Sequence, residues 1–262
     1  MAFGGVCMYD KIKKEIMIEK HFGCSIENIS SNVIISPIWP LSHFVERADG
    51  IIKEFKGWYK GVTLSYKGKP VTVINCGIGA PMTGDCVIAL GYTQCENIFF
   101  SGSAGAINEK LNIGDFLICD EAVIGEGFSR YHSGNIYDDC FGNVVTGSDK
   151  LAQIIIQKAV IAAHSLEVSA HKGRIFSIDS ILGENRKTFD FMISKECDAV
   201  EMEVSAVFTA SKSIGRNAAA LIVISDLPLK EKSLFEGIEK NDEMKFKNSS
   251  YHLPEILLDS AI

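Results

Sequence analysis

The sequence has no apolar run long enough to cross a membrane as a helix, and it has no excess of basic residues. It has 26 lysine and arginine residues and 33 aspartates and glutamates, which gives a formal net charge of −7. A general nucleic-acid-binding protein needs a basic surface to attract phosphates, so that class is excluded. The N-terminal segment also lacks the apolar stretch of a secretory signal. We therefore expect a cytoplasmic protein that binds no membrane and acts on a small molecule.

Residue patterns for disulfides, metals and common cofactors are absent as well. The eight cysteines form no CxxC pair and several lie in apolar segments, which predicts reduced thiols in the core. The six histidines show no ligand spacing, so no metal site is expected. Neither GxGxxG nor GxxxxGK followed by serine or threonine occurs, which gives no support to a dinucleotide site or a P-loop. We expect no cofactor.

The chain does contain short β-branched or aromatic runs that alternate with longer helical segments, a pattern typical of an α/β layer fold. Several runs are apolar at successive positions, as expected for strands that helices cover on both faces. With 262 residues and no linker composition, one domain over residues 1–262 is expected. The predicted strands span residues 33–35, 71–76, 97–100, 115–119, 173–177 and 218–225.

Three segments are predicted to be helical. Residues 149–164 follow Ser148, a candidate N-cap, and are so apolar that we expect them to be largely buried. Residues 203–214 carry apolar side chains at near-helical spacing and stop at Gly215, a candidate C-cap. The last helix is expected over residues 249–262. The glycine-rich and aromatic segment 125–146 is predicted to be a long functional loop.

Three turns follow predicted strands directly: CGIGAP at 76–81, SGSAG at 101–105 and ISDLP at 224–228. Loops at the carboxyl ends of strands in an α/β sheet converge on a crevice where ligands bind. Glycine lets backbone N–H groups approach such a ligand, but a tight turn needs glycine even where nothing binds. The turns are therefore compatible with a binding site and with a purely structural role.

Three acidic residues stand next to segments that we expect to be buried. Glu201 and Glu203 lie in AVEMEVSAVF, where they either favour a helix N-terminus or hold the hydroxyl groups of a ligand. Asp226 follows the apolar run AAALIVIS, at the point where a buried strand opens into a loop. Burial disfavours an ionised carboxylate, so Asp226 is a candidate proton donor, although aspartate is also common in turns.

These motifs resemble those of the nucleoside phosphorylase and nucleosidase superfamily. CGIGAP, GSAGAI, EAVIGEGFSRYH, AVEMEVSAVFTA and VISDLP occur in the same order as matching blocks of that superfamily, from about residue 33 to residue 229. The SDLPLK stretch is also similar to the end of bacterial AMP nucleosidases. The resemblance implies a three-layer domain with a central mixed, largely parallel twisted sheet flanked by helices. It also implies cleavage of the bond between ribose and a nucleobase.

The resemblance further implies roles for individual residues. Glu203 would bind the ribose hydroxyls while Met202 packs on the sugar, and Asp226 would protonate or hydrogen-bond the leaving base. Ser103 would lie beside phosphate or the attacking water. The remaining candidates for contact with the nucleoside are Gly79, Phe128, Ile181, Glu201 and Ser225.

The chain departs from the superfamily's phosphorylases at two phosphate-binding arginines. Ser42 lies in the segment where a GDPxR block would supply one, and Phe100 stands in place of the second. Lys53 is the candidate for a third cation, donated by a neighbouring subunit of a homo-oligomer, although lysine lacks the fork of arginine.

Three hypotheses remain open: a hydrolase that uses water, a phosphorylase that takes phosphate as co-substrate through other contacts, and a relative that binds nucleosides without catalysis. Retention of both Glu203 and Asp226 favours an enzyme. Asp226 also favours a purine, whose N7 it could protonate. The sequence does not identify the base.

Overall fold

The computed structural model describes residues 11–134, 136–233 and 235–262. It confirms the α/β class, because strands and helices alternate along most of the chain. The elements are α1 (Lys14–Phe22), β1 (Asn32–Ile35), α2 (Leu41–Val45), β2 (Gly50–Lys56), β3 (Lys60–Tyr66), β4 (Lys69–Asn75), α3 (Ala80–Leu90), β5 (Asn97–Ala106), β6 (Phe116–Gly125), β7 (Val144–Thr146), α4 (Asp149–Leu166), β8 (Ala170–Ile178), α5 (Arg186–Ser194), β9 (Ala199–Glu201), α6 (Val204–Ser213), β10 (Asn217–Asp226) and α7 (Lys240–Ser260).

The strands form one mixed sheet. Parallel pairings join β4, β1, β5 and β10 at its centre, and the antiparallel strands β3 and β2 extend it on one side. On the other side β10 pairs with β6, β6 with β8, β8 with β9, and β9 with β5. Because β5 also pairs with β10, these five strands form a closed ring.

Helices cover both faces of the sheet, which confirms the three-layer arrangement. Apolar residues of α1, α3 and α6 join one core cluster, and those of α2, α4 and α7 join the other. Successive side chains of a strand point to opposite faces. Ile98 and Phe100 of β5 accordingly pack in the first cluster and Phe99 in the second. The apolar run in β5 is thus explained by burial on both faces.

The two predicted central helices are present. Ser148 caps α4 by accepting the N–H of Leu151 at 3.3 Å, and Gly215 follows α6 with φ of +68°. The prediction that α4 is largely buried is wrong, since Ile161 is 71% exposed. Only one side of the helix packs against the sheet, and apolar residues on the other side are exposed.

Other local predictions also differ from the structure. SGSAG lies inside β5 rather than in a turn, and Gly102 shows why. A Cβ there would lie 3.0 Å from the ring of Phe100 and 3.3 Å from Ile222, so glycine permits close packing within the strand ring. Helix α7 begins at Lys240, nine residues earlier than expected, and the hairpin β2–β3 was not predicted. The predicted loop 125–146 contains a 3₁₀ turn and the short strand β7.

The cysteines agree with the prediction wherever they are described. Seven of them are buried with free thiols, and Cys7 lies outside the described residues. In residues 11–134, 136–233 and 235–262, no helix has the length and apolar character that a bilayer crossing requires.

Candidate active site

A cavity of about 170 Å³ lies where several strands end or pass close together. Strand β5 contributes residues 102–105, the β9–α6 junction contributes residues 200–203, and β10 contributes Ser225 and Asp226. Segments that follow β1, β4 and β8 complete the wall with Pro37, Ile38, Ile78, Ile181 and Glu184. The sheet thus brings together residues that are far apart in the chain.

Glu203 stands at the N-cap of α6, directly before Val204. It is 7% exposed, and its Oε1 accepts the N–H of Gly79 at 2.5 Å. Gly79 has φ of +105°, a conformation that favours glycine. Burial raises the pKa of Glu203, and the bond from Gly79 opposes that shift because it stabilises the ionised form. The carboxylate therefore borders the cavity in a fixed position.

Glu201 lines the same cavity, but protein groups already bind its oxygens. Oε2 accepts the N–H groups of Glu203 at 2.6 Å and Val204 at 2.9 Å, and Oε1 accepts the hydroxyl of Ser177 at 2.5 Å. These N–H groups belong to the start of α6, where the helix dipole also favours a carboxylate. Burial, followed by the nearby Glu203 carboxylate, raises the pKa of Glu201. The geometry favours the helix-capping interpretation over direct contact with a ligand.

Asp226 is the last residue of β10 and is 4% exposed. The register of β10 against β5 shifts between Ile224 and Asp226, so Ser225 lies at an irregularity that redirects the strand end. The Ser225 hydroxyl lies 2.6 Å from Oδ1 of Asp226 and 3.1 Å from the carbonyl oxygen of Ala104. Asp226 is thus held at the cavity wall by the ring of strands.

Glu184 is a wall residue that the sequence did not single out. It follows a 3₁₀ turn at Ile181–Gly183 and precedes Asn185, the N-cap of α5. Burial, and then the charge of Asp226, raise its pKa to about 7. The only sequence signal is its position beside a helix cap, and a glutamate in a loop usually faces solvent. Its interaction with Asp226 makes it a candidate functional residue.

The other predicted residues divide into two groups. Met202, Ser103, Ile181 and Ser225 line the cavity. Phe128 does not, contrary to prediction: it lines a neighbouring cavity and its ring stacks on His132 at 4.6 Å between centroids.

Gly79, which we also expected at the cavity wall, is not among the lining residues, but it contributes to the site through its bond to Glu203. Lys53 lies in β2, away from the residues that line the cavity in this chain. Ser42 lies on α2, and Phe100 is fully buried in the core.

The cavity wall has a pronounced excess of acidic side chains. Glu184, Glu201, Glu203 and Asp226 all belong to it, and its described lining residues include no lysine, arginine or histidine. In the described parts of the chain, His, Cys, Asp and Glu side chains form no group of three suited to holding a metal ion. The polar groups of the wall are carboxylates, serine hydroxyls and backbone atoms.

Solved structures of other proteins share this fold. The purine nucleoside phosphorylase of Toxoplasma gondii, solved with immucillin-H, superposes with a TM-score of 0.74 at 23% identity and covers 91% of this chain and 92% of its own. The uridine phosphorylase of Vibrio fischeri superposes with a TM-score of 0.72 at 23% identity and covers 90% of this chain and 93% of its own. At this identity the likeness concerns the fold.

Sequence comparison gives a relative and a family. A DeoD-type purine nucleoside phosphorylase of Psychromonas ingrahamii is 29% identical over 170 residues, which is 63% of this chain and 67% of that protein. The model of the phosphorylase superfamily matches residues 43–257, which include all four acids of the cavity wall. The chain therefore belongs to the phosphorylase superfamily.

Proposed function

We propose that this protein cleaves the N-glycosidic bond of a nucleoside, with a purine nucleoside as the favoured substrate. The observation that carries the proposal is that two buried acids from distant segments, Glu203 and Asp226, border one cavity. The Psychromonas relative, which is named a purine nucleoside phosphorylase, supports the same substrate class.

Each acid suits one end of the substrate. Breaking the bond between ribose C1′ and the base nitrogen leaves positive charge on the sugar and sends the electron pair to the base. Asp226 is the proposed donor of the proton or hydrogen bond that the base needs, at its N7 in a purine. Glu203 is the proposed acceptor for the ribose hydroxyls, and Met202 and Ser103 flank the sugar. Glu201, whose oxygens already accept protein hydrogen bonds, would fix the start of α6.

We further propose that water, rather than phosphate, attacks the sugar. Near neutral pH phosphate carries one to two negative charges, and its transfer into a partly dehydrated cavity costs several kcal/mol unless cations and N–H donors replace its water. The described wall offers carboxylates and no cationic side chain. In hydrolysis, water adds to C1′ as the bond to the base nitrogen breaks, and the proton that water gives up replaces the one donated to the base, so free base and ribose are the products.

Phosphorolysis is the second candidate, because the Psychromonas relative is named a phosphorylase. It would require Lys53 of a neighbouring subunit in a homo-oligomer and backbone N–H groups of the glycine-rich segments to replace the missing arginines. Arginine normally supplies a charge-assisted bond about twice as strong as a neutral one.

The products distinguish these reactions. The protein is incubated with purine and pyrimidine nucleosides in buffer with and without phosphate, and ribose is separated from ribose 1-phosphate. Hydrolysis predicts ribose in both buffers. Strict phosphate dependence with ribose 1-phosphate as the product would overturn the hydrolysis proposal while leaving N-glycosidic cleavage intact.

A further inference from the structure

Glu126 is a buried acid that does not border the cavity. It lies between the end of β6 and the 3₁₀ turn Phe128–Tyr131, and it is 5% exposed. A buried carboxylate is costly unless donors surround it. The contacts of Glu126 therefore indicate what it holds in place.

Hydroxyl and backbone donors from two elements converge on Glu126. Oε2 accepts the N–H of Ser129 at 3.1 Å, and Oε1 accepts the hydroxyls of Ser129 and, at 2.8 Å, Ser205. The Ser129 hydroxyl is also within 2.9 Å of Oγ1 of Thr209. Ser205 and Thr209 belong to α6, and all three partners are buried. Glu126 and Ser129 thus connect the 3₁₀ turn by hydrogen bonds to the first two turns of α6.

The hydrogen-bond chain continues from α6 to the candidate active site. The N–H of Ser205 donates to the hydroxyl oxygen of Ser177 at 2.8 Å, and that hydroxyl donates to Glu201. Glu201 in turn accepts the N–H of Glu203. Two buried carboxylates therefore hold the same helical turn, Glu201 through backbone N–H groups and Glu126 through the Ser205 side chain.

The same 3₁₀ turn also packs on α3, whose N-cap Gly79 donates to Glu203. A Cβ on Gly84 of α3 would lie 2.4 Å from the ring of Phe128, so the ring occupies the space that this glycine leaves. The turn that Glu126 fixes thus contacts both helices that orient the Glu203 carboxylate. Glu203 is itself the N-cap of α6, and Gly79, the N-cap of α3, donates to it.

We propose that Glu126 is a positioning residue, which fixes the first turn of α6 against the 126–131 turn and thereby sets the orientation of Glu203. The effect on substrate rests on the function proposed above. The effect on the first turn of α6 does not, because it can be measured without substrate.

Two substitutions and a matched control separate an effect on the position of Glu203 from a general loss of stability. Glu126→Leu removes the acceptors and leaves the Ser129 and Ser205 hydroxyls without them. Glu126→Gln can keep the geometry, since its amide oxygen can accept the Ser129 N–H while its NH₂ donates to both hydroxyls. Thr72→Val is the control. It removes a fully buried polar group elsewhere, a hydroxyl that accepts the N–H of Ser30 and contacts Thr63 away from the cavity wall.

The first readout is hydrogen exchange of the backbone amides at 77–80 and 203–207. We expect faster exchange at both segments in Glu126→Leu, and protection close to that of the parent in Glu126→Gln and Thr72→Val. Parent-like exchange at both segments in a folded Glu126→Leu protein would overturn the proposal. Equal loss of protection in Glu126→Gln would also overturn it, because the charge rather than the bond geometry would then matter.

The second readout is discrimination between a riboside and its 2′-deoxy analogue. For Glu126→Leu we expect kcat/KM for the riboside to fall by about 10- to 100-fold, as for a displaced contact group, with a smaller fall for the deoxy analogue. Thr72→Val should leave the ratio of the two kcat/KM values unchanged. An unchanged ratio in Glu126→Leu would contradict the proposal. If the parent protein cleaves no nucleoside, the proposed function fails, and hydrogen exchange alone decides the role of Glu126.

Discussion

At the scale of single residues, the two acids proposed to act on the substrate differ in their surroundings. Glu203 accepts a backbone N–H from Gly79, and Asp226 lies beside the hydroxyl of Ser225. A carboxylate with a fixed backbone donor suits the binding of sugar hydroxyls. A carboxyl group at a buried strand end suits proton donation. Substitution of each acid should therefore change a different kinetic property.

Asp226→Asn should reduce base release by about 10²- to 10⁴-fold, the usual contribution of a positioned proton donor. Nucleoside affinity should change less, because asparagine keeps the shape and can still hydrogen-bond. Single-turnover rates and equilibrium binding measure the two effects separately. Asp190→Asn, on the solvent-exposed side of α5, is the control. Unchanged turnover in Asp226→Asn would remove Asp226 from the chemistry.

Glu203→Gln should weaken ribose recognition, because the neutral amide is a poorer acceptor for hydroxyl groups. The 2′- and 3′-deoxy nucleosides should lose less kcat/KM in this variant than the ribonucleoside does. Steady-state kinetics with matched substrates test the prediction, with the exposed Glu196→Gln as the control. An equal loss for all substrates would show that Glu203 does not contact the sugar hydroxyls.

Glu184 should make stability depend on pH. Burial and Asp226 raise its pKa from 4.5 to about 7 in the folded protein. The favourable contribution of Glu184 to the free energy of unfolding is complete below about pH 4.5, falls as the pH rises, and is lost above about pH 7. Above that pH the folded form binds no more protons at this group than the unfolded form does. Between pH 5 and pH 8, the free energy of unfolding measured in urea should decrease less for Glu184→Gln than for the parent. An equal decrease would mean that Glu184 does not titrate in this range.

How far the sequence predicts the site depends on the kind of residue. The residues that motif order and strand ends could indicate do line the cavity: Glu203, Asp226, Met202, Ser103 and Ser225. Glu184 and Glu126 could not be identified in this way. Their roles arise from the buried neighbours that the fold brings to them.

At the scale of elements, the apolar strands and the capped helix α4 were predictable because burial and capping leave local patterns. Strand β2 was not, because nearly all of it is exposed. The small residues of β5 suggest a turn, although Gly102 instead lets Phe100 and Ile222 pack against the strand backbone. Local sequence does not distinguish a glycine needed for a turn from one needed for close packing.

The junction between β7 and α4 provides a test of such close packing. A Cβ on Gly147 would lie 2.4 Å from the carbonyl oxygen of Ala218 in β10, and backbone cannot easily move aside. Gly147→Ala should therefore destabilise the protein by about 1–3 kcal/mol. Gly50→Ala is the matched control, because nothing lies within 4 Å of its Cβ position. Equal unfolding midpoints in urea for the two variants would contradict this description of the junction.

At the scale of the whole molecule, the charge is compatible with the proposed substrate class and the topology with a preorganised site. The net charge of −7 and the acid-rich cavity both disfavour anionic ligands, which argues for a nucleoside over a nucleotide. The closed ring of β5, β10, β6, β8 and β9 carries Ser103, Ser225, Asp226 and Glu201. The ring gives these groups a rigid frame, as a preorganised site requires.

The most direct test of the central claim is the amount of free base released from purine ribonucleosides by the parent protein in phosphate-free buffer. We predict many base molecules per protein chain, with ribose formed in equal amount. Tight binding of a purine ribonucleoside by folded protein, with no base released above the buffer control, would contradict the account and show a nucleoside-binding protein without catalysis.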